Sequence, residues 1–220
     1  MSIFNHLKLN WHFINKCNMQ CKFCYSSKES CKDITFDVIP KIKSFKEINL
    51  VGGEPTIYGK YIYLLEKLHS QGHILSIVSN GAMFLINNNI FSKTVKYCET
   101  VGLSIDSINN ETCINIGRKL HNKKTISEEE YLYICKKIKD SGRLLKINTV
   151  INRYNYKENL IVTFTEGTDE SANETRIINL TDPFYDGNNG DDTAIGYDIT
   201  VDEVDSFNLI PNVTYPELQL

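Results

Sequence analysis

Apolar and polar positions over about the first 150 residues form two alternating patterns: short apolar runs, and longer stretches with helical spacing. The short runs predict buried strands, and the longer stretches predict helices with one buried face. Strands that alternate with helices indicate parallel βα units, because a parallel strand pair needs a long crossover connection. The predicted strands cover 7–14, 48–51, 74–78, 101–105, 144–150 and 176–180.

The predicted helices occupy the stretches between these strands. The best defined begins at Ser127, which has the capping-box spacing to Glu130, and ends at Gly142. Its apolar stripe consists of Tyr131, Ile134, Cys135 and Ile138. The other three cover 36–45, 60–71 and a stretch through Phe91 and Val95.

Six βα units predict an α/β fold, a partial (βα)6 barrel over residues 1–180 with a short irregular C-terminal extension over 181–220. Polar loops are expected at 166–174 and 186–192, and 202–207 is compatible with one or two helical turns. In such folds the loops after the strands carry the site. Functional residues are therefore expected at the carboxyl ends of the strands.

Composition and charge indicate which classes of protein this chain can belong to. With 41% hydrophobic and 23% charged residues, the 220-residue chain can form a substantial core, and its net charge of −3 argues against a nucleic-acid partner. No apolar run approaches the roughly 18 residues of a membrane helix. The N-terminus has no basic region followed by an apolar run, so we expect a cytoplasmic protein without a membrane partner.

Three of the seven cysteines, Cys17, Cys21 and Cys24, lie within eight residues in a C-x3-C-x2-C pattern after the first predicted strand. An odd number of cysteines without a secretion signal argues against a disulfide framework. Three thiolates on one short loop can each bind a different iron of a cubane cluster, which leaves the fourth iron open to another ligand. The pattern therefore predicts an iron–sulfur cluster.

Zinc is the main alternative for these three thiols. Structural zinc sites usually need a second ligand pair, and the remaining cysteines are isolated along the chain. Buried free thiols are the other alternative. That explanation suits the four remaining cysteines better than three thiols grouped at one strand end; they are Cys31, Cys98, Cys113 and Cys135.

A Gly-Gly-Glu-Pro segment at 52–55 follows the second predicted strand. Glycines permit a close backbone approach, and a carboxylate such as that of Glu54 accepts hydrogen bonds from an ammonium group. Taken alone, the segment is equally compatible with an ordinary turn.

The cysteine pattern followed by Gly-Gly-Glu-Pro resembles the radical S-adenosylmethionine (radical SAM) superfamily. The resemblance implies a 4Fe–4S cluster on the three cysteines, with SAM bound at the open iron and its amino group held by Gly52, Gly53 and Glu54. One electron then cleaves SAM to methionine and a 5′-deoxyadenosyl radical. An electron donor of the flavodoxin or ferredoxin type is therefore an expected partner.

Longer runs resemble one family in particular, the viperins with their prokaryotic relatives, over about residues 7–158. The matching runs are at 10–13, 48–50, 76–81, 104–107, 116–118 and 146–155. The resemblance implies conversion of a nucleoside triphosphate (CTP, UTP or GTP) to its 3′-deoxy-3′,4′-didehydro form, in antiviral defence.

The same resemblance assigns roles to residues that chemistry alone leaves open. Ser104 and Arg118 are expected at the SAM carboxylate, and the SAM-binding set also includes Ser79 and Asn80. The nucleotide is expected to contact Asn10, Lys146 and Arg176. Without the resemblance, Asn10 would be an ordinary strand residue, Lys146 a surface lysine and Arg118 an exposed helix-end charge.

This chain departs from the family in its cationic residues and its C-terminus. Glu47 stands where the family has a phosphate-binding lysine, although Lys46 is adjacent, and Arg176 is the one matched cation of an Arg-Trp-Lys run. Each lost charged hydrogen bond is expected to weaken triphosphate binding by roughly 1.5–3 kcal/mol. Family members also continue beyond this C-terminus, which suggests a divergent or truncated end.

Two other functions remain open from the sequence. The first is a radical SAM enzyme with another substrate, such as a peptide, but peptide-modifying members often carry further cluster cysteines, and none follows Cys135. The second is a degenerate, non-catalytic protein that only binds a cluster.

Overall fold

The computed structural model describes residues 7–24, 36–155 and 158, together with the backbone of strands at 160–165, 173–178, 195–201 and 206–210. Predictions that fall on 25–35, 166–172, 179–194, 202–205 and 211–220 lie outside the described residues. These include Cys31, the second polar loop and the first four residues of the possible helical turns at 202–207, whereas residues 206 and 207 belong to a strand instead.

Nine strands are present in the described part of the chain. They are β1 (Lys8–Ile14), β2 (Glu47–Gly52), β3 (Ile74–Ser79), β4 (Cys98–Ser104), β5 (Leu144–Ile151), β6 (Leu160–Thr165), β7 (Asn173–Ile178), β8 (Ile195–Val201) and β9 (Ser206–Ile210). Strands β1 to β5 form a parallel sheet in sequence order, with β8 antiparallel beside β5. The α/β class and the barrel-type strand order predicted from the sequence are confirmed.

Helices cover the crossovers between the parallel strands. They are α1 (Tyr61–Ser70), α2 (Ala82–Ile86), α3 (Asn88–Tyr97), α4 (Asn110–Ile116) and α5 (Glu128–Asp140), with 3-10 helices at Phe36–Ile42 and Pro55–Ile57. Helix α5 begins at the predicted capping box, in which Ser127 accepts from the Glu130 N–H and the Glu130 side chain accepts from the Ser127 N–H.

The position predicted for the sixth barrel strand is wrong. Residues 176–178 belong to β7, which pairs antiparallel with β6 in a separate three-stranded sheet of order β7-β6-β9. The sixth position of the main sheet is occupied by β8, in a segment where the sequence predicted irregular structure. The parallel part of the barrel thus has five strands among the described residues.

The two faces of the parallel sheet differ sharply in polarity. Alternate residues pack with the helices in one apolar core that includes Ile48, Leu50, Ile77, Leu103 and Ile147. The residues between them are mostly polar or glycine, and the helices do not cover them. An apolar core on one face therefore leaves the opposite face available for a ligand.

The described residues contain no helix that is long and apolar enough to cross a membrane.

Candidate active site

A cavity of about 590 Å³ lies on the polar face of the sheet and extends to the carboxyl ends of the strands. It brings together residues from all five parallel strands and from the loops that follow them. Twelve of the predicted site residues line it: Asn10, Cys17, Cys21, Cys24, Gly52, Gly53, Glu54, Ser79, Asn80, Ser104, Arg118 and Lys146. The Arg176 side chain lies outside the described residues, and its assignment stays a prediction.

The cysteine loop is held from one side by the end of helix α4. Gln20 N donates to Gly117 O (3.3 Å), and Lys22 N donates to Ile116 O (2.9 Å). Gly117 has a φ of +82°, and a Cβ there would lie 2.1 Å from Gln20 O. Only glycine fits this close backbone contact, so the α4 terminus fixes the position of the loop.

The Gly-Gly-Glu-Pro segment holds the loop from the other side. Gly53 N donates to Ile14 O (2.6 Å), and Glu54 N donates to Lys16 O (2.9 Å). A Cβ at Gly53 would lie 2.2 Å from Lys16 O, closer than any side chain allows. The Gly-Gly-Glu-Pro segment is therefore in direct backbone contact with the residues that lead into the cysteine motif.

The chemistry of the three loop thiols fits a cubane cluster, which takes one thiolate on each of three irons. All three line the cavity, with Cys17 and Cys21 partly buried and Cys24 exposed. No three His, Cys, Asp or Glu side chains among the described residues converge to hold one metal ion. A cubane places each thiolate on a different iron, so its ligands need not converge on one point.

Local electrostatics act on these thiols in opposite directions. Burial raises the pKa of Cys17 to about 11 and also raises that of Cys21, whereas the charge of Arg118 lowers the pKa of Cys21. Because iron binds the thiolate, ligation must overcome the cost of burial.

Glu54 has a fully buried carboxylate with hydrogen bonds to both oxygens. Its Oε1 accepts from Thr56 N (3.1 Å), Thr56 Oγ1 and Ser79 Oγ (2.8 Å), and its Oε2 accepts from Asn80 N (2.7 Å). Burial raises the pKa of Glu54, and these four hydrogen bonds oppose that shift. Ser79 and Asn80 thus orient Glu54, and Asn80 Nδ2 also donates to Asn18 Oδ1 (2.7 Å) in the cysteine loop.

Arg118 is buried in an ion pair at the edge of the cavity. Its Nε donates to Asp106, which also accepts from Val150 N (2.8 Å) and is itself buried. Burial alone lowers the pKa of Arg118, but the charge of Asp106 outweighs this and raises the pKa above its usual value. Because Arg118 is buried, the alternative that it is only an exposed charge at a helix end is wrong.

A row of polar side chains crosses the sheet deeper in the cavity. Asn49 Nδ2 donates to Asn10 Oδ1 (3.0 Å), and Ser76 Oγ donates to Asn49 Oδ1 (3.0 Å). These residues occupy the same register position on β1, β2 and β3, and Thr100 of β4 continues the row. The Asn10 side chain is thus held by a side chain of the neighbouring strand, and its contact with a nucleotide stays a prediction.

Several lining residues were not found from the sequence, namely Lys8, His12, Asn49, Ser76, Thr100 and Asn148. Lys8, His12 and Asn148 lie two positions along a strand from Asn10 or Lys146, and a period-two projection from those residues would have identified them. Asn49, Ser76 and Thr100 join the row through the register between strands, which the sequence pattern does not give. Asn148 Oδ1 is buried, with no hydrogen-bond partner among the described residues.

Comparison with known families agrees with this geometry. The family model of the Radical SAM superfamily matches residues 11–164, a span that includes the cysteine loop and all five parallel strands except the start of β1.

Curated relatives are similar over the same part of the chain. An S-adenosylmethionine-dependent nucleotide dehydratase of Lacinutrix mariniflava is 33% identical over 165 residues, covering 69% of this chain and 34% of that protein. A protein of the same name from a Fibrobacter species is 30% identical and covers 70% and 50%, and RSAD2 of Danio rerio is 31% identical and covers 69% and 44%. The chain spans half or less of the length of each of these three relatives.

Solved structures support the fold. SuiB of Streptococcus suis, in its S-adenosylmethionine-bound crystal structure, superimposes with a TM-score of 0.51 at 19% identity. The match covers 65% of this chain and 33% of SuiB. At this identity the likeness concerns the architecture of the partial barrel.

Proposed function

The chain belongs to the radical SAM superfamily, and we propose that it acts as a viperin-like nucleotide dehydratase. In this proposal it converts CTP, UTP or GTP to the 3′-deoxy-3′,4′-didehydro analogue, which ends viral RNA chains because it lacks a 3′-hydroxyl group. The observation that carries the proposal is a single cavity in which Asn10 and Lys146 lie together with the three loop cysteines. The relatives named nucleotide dehydratase support the choice of substrate.

The superfamily uses a 4Fe–4S cluster and SAM, which together supply a 5′-deoxyadenosyl radical that takes a hydrogen atom from the substrate. In this chain Cys17, Cys21 and Cys24 would hold the cluster. The backbone of Gly52 and Gly53 would lie against SAM, because both glycines line the cavity.

Glu54 can accept one more hydrogen bond. A carboxylate oxygen offers two lone pairs, and Oε2 accepts from Asn80 N in the described contacts. The ammonium group of SAM would be the additional donor. Its positive charge would favour the ionised carboxylate and so offset the burial that raises the pKa of Glu54.

In the proposal, Arg118 and Ser104 bind the other end of SAM, its carboxylate. The Nε of Arg118 is used by Asp106, and the two terminal nitrogens of a guanidinium group carry four further N–H donors. Both side chains line the cavity. In the proposed complex they would donate to the SAM carboxylate, with Asp106 fixing the guanidinium plane.

The polar row and two cationic residues would receive the nucleotide. Asn10 would donate to the nucleotide while Asn49 holds its Oδ1. Lys8 and Lys146 line the same cavity and would face the triphosphate. Lys8 also pairs with Glu47 (3.4 Å). The Lys8 ammonium group therefore lies beside Glu47, the position where the family has its lysine.

The overall reaction needs an external reductant. The nucleotide loses hydrogen from C4′ and the hydroxyl group from C3′, which together amount to one water. The substrate is thus neither oxidised nor reduced, so the two electrons that convert SAM to methionine and 5′-deoxyadenosine come from a separate electron donor.

The test is anaerobic reconstitution with iron and sulfide, followed by SAM and dithionite with CTP, UTP, GTP, ATP or no nucleotide. We expect one triphosphate to stimulate 5′-deoxyadenosine formation and to yield a product lighter by one water. The Cys17→Ala/Cys21→Ala/Cys24→Ala variant is the control and should form none. Cleavage that no nucleotide stimulates would contradict the substrate, and an intact cluster without cleavage would favour a non-catalytic protein.

A further inference from the structure

The outer side of the cysteine loop carries an arrangement of cations that SAM and nucleotide binding do not explain. Lys22 lies between two cluster cysteines, is exposed, and places its Nζ 5.3 Å from the ring centre of Tyr154. Arg153 places its Cζ 4.9 Å from the same ring, and its Nη2 donates to the Tyr154 hydroxyl (3.0 Å). One aromatic ring therefore holds two positive charges together beside the cluster loop.

The turn that follows helix α4 adds further cations at the same loop. Met19 forms a β-bridge with Leu120, so the turn at 120–124 meets the cysteine loop at its first residue. This turn and the residue before it carry Lys119, Lys123 and Lys124, of which Lys123 is exposed and Lys124 pairs with Glu130 (2.5 Å). None of these residues lines the described cavity.

We propose that this basic patch, defined as Lys22, Lys119, Lys123 and Arg153, is the docking surface for a small acidic electron-transfer protein of the flavodoxin or ferredoxin type. Its four residues are all positively charged, so a partner with an acidic surface would be attracted to the patch and oriented by it.

The position of the patch suits electron delivery. Cys24 is exposed beside Lys22, so a cluster held by Cys17, Cys21 and Cys24 would lie near the surface that the partner covers. An anionic flavin hydroquinone would supply one electron and become the neutral semiquinone, so the transfer to the site would need no proton. The inference rests on the cluster of the proposed function but not on the identity of the nucleotide.

The experiment compares Lys22→Glu, Arg153→Glu and their double variant with wild-type protein after cluster reconstitution. Binding of a purified bacterial flavodoxin is measured by titration calorimetry at low and high salt, without nucleotide. Cluster reduction is followed by its loss of visible absorbance, with flavodoxin hydroquinone or with dithionite as reductant. Lys67→Glu, an exposed charge reversal on α1, is the matched control.

We expect the dissociation constant for flavodoxin to rise at least about tenfold in the double variant and to stay unchanged in the control. Reduction by flavodoxin should slow in parallel, and reduction by dithionite should not, which shows that the cluster and the fold are intact. Lys22→Gln/Arg153→Gln should give a smaller loss in the same direction. Wild-type protein that does not bind flavodoxin, or variants that bind as wild type does, would overturn the docking surface.

Discussion

Gly53 shows how a single residue joins the two motifs of the site. Its missing side chain allows Lys16 O to approach, and a Cβ would lie 2.2 Å from that oxygen. The sequence predicted a close approach to a ligand, and the structure shows in addition a close approach to the cysteine loop. The fold itself therefore requires glycine at this position, before any ligand binds.

Gly53→Ala is predicted to displace the cysteine loop, because the backbone oxygen cannot move without breaking the contact of Glu54 N. We expect a large loss of iron and sulfide after reconstitution, measured by metal analysis and visible absorbance. Gly59→Ala is the matched control, since a Cβ there meets nothing within 4 Å and its φ is not in the left-handed range. Equal cluster content in the two variants would refute the prediction.

Cysteine reactivity should separate the exposed loop thiol from the core thiols. Burial raises the pKa of Cys98 to about 12, so at pH 8 only roughly one in ten thousand of its thiols is the reactive thiolate. In metal-free native protein we expect iodoacetamide to label Cys24 first, with Cys98 modified only as the pH approaches 12 or after unfolding. Peptide mass spectrometry over time measures this, and early labelling of Cys98 would contradict the buried position.

At the scale of elements, the capping box of α5 is the clearest local signal. Ser127→Ala removes the acceptor of the Glu130 N–H, and caps of this kind contribute about 1 kcal/mol. We predict a loss of about that size in the free energy of unfolding, measured by urea denaturation. Ser92→Ala, whose exposed hydroxyl only donates to Asn89 O within α3, should leave stability unchanged within experimental error.

The buried pair of Asp106 and Arg118 joins three elements, the ends of β4 and α4 and the backbone of β5. Asp106→Asn leaves the Arg118 charge buried without its counter-charge, and broken buried pairs typically cost about 3–5 kcal/mol. Urea unfolding should show a loss of this order. The exposed pair of Lys93 and Glu66 (2.8 Å) provides the control, because Glu66→Gln should not change stability measurably.

Long helices followed from the sequence, and short ones did not. Helices α1, α3 and α5 span at least ten residues each, enough for the apolar spacing to repeat, whereas α2 and α4 span five and seven. Parallel strands of the core were visible as apolar runs. Strands β6, β8 and β9 either lack such a run or depend on pairing with distant residues. Local sequence pattern therefore could not predict their partners in the sheets.

At the scale of the whole molecule, two features of the sequence predicted the site. One is the set of residues at the ends of strands, and the other is the set of motifs that match a superfamily. Cys17, Glu54, Ser79 and Arg118 follow from these. The polar row through Asn49 and Ser76 does not, because it depends on the register between strands. Sequence pattern fixes the face of a strand, and only the sheet fixes which side chains meet across it.

The most direct test of the central claim uses a nucleoside triphosphate carrying deuterium at C4′, chosen from whichever base stimulates SAM cleavage. The anaerobic, reconstituted protein is supplied with SAM and reductant, and the 5′-deoxyadenosine is analysed by mass spectrometry. We predict that one deuterium is transferred to 5′-deoxyadenosine and that the nucleotide product is lighter by one water and has lost its label. Unlabelled 5′-deoxyadenosine alongside an unchanged nucleotide would contradict the proposed dehydratase.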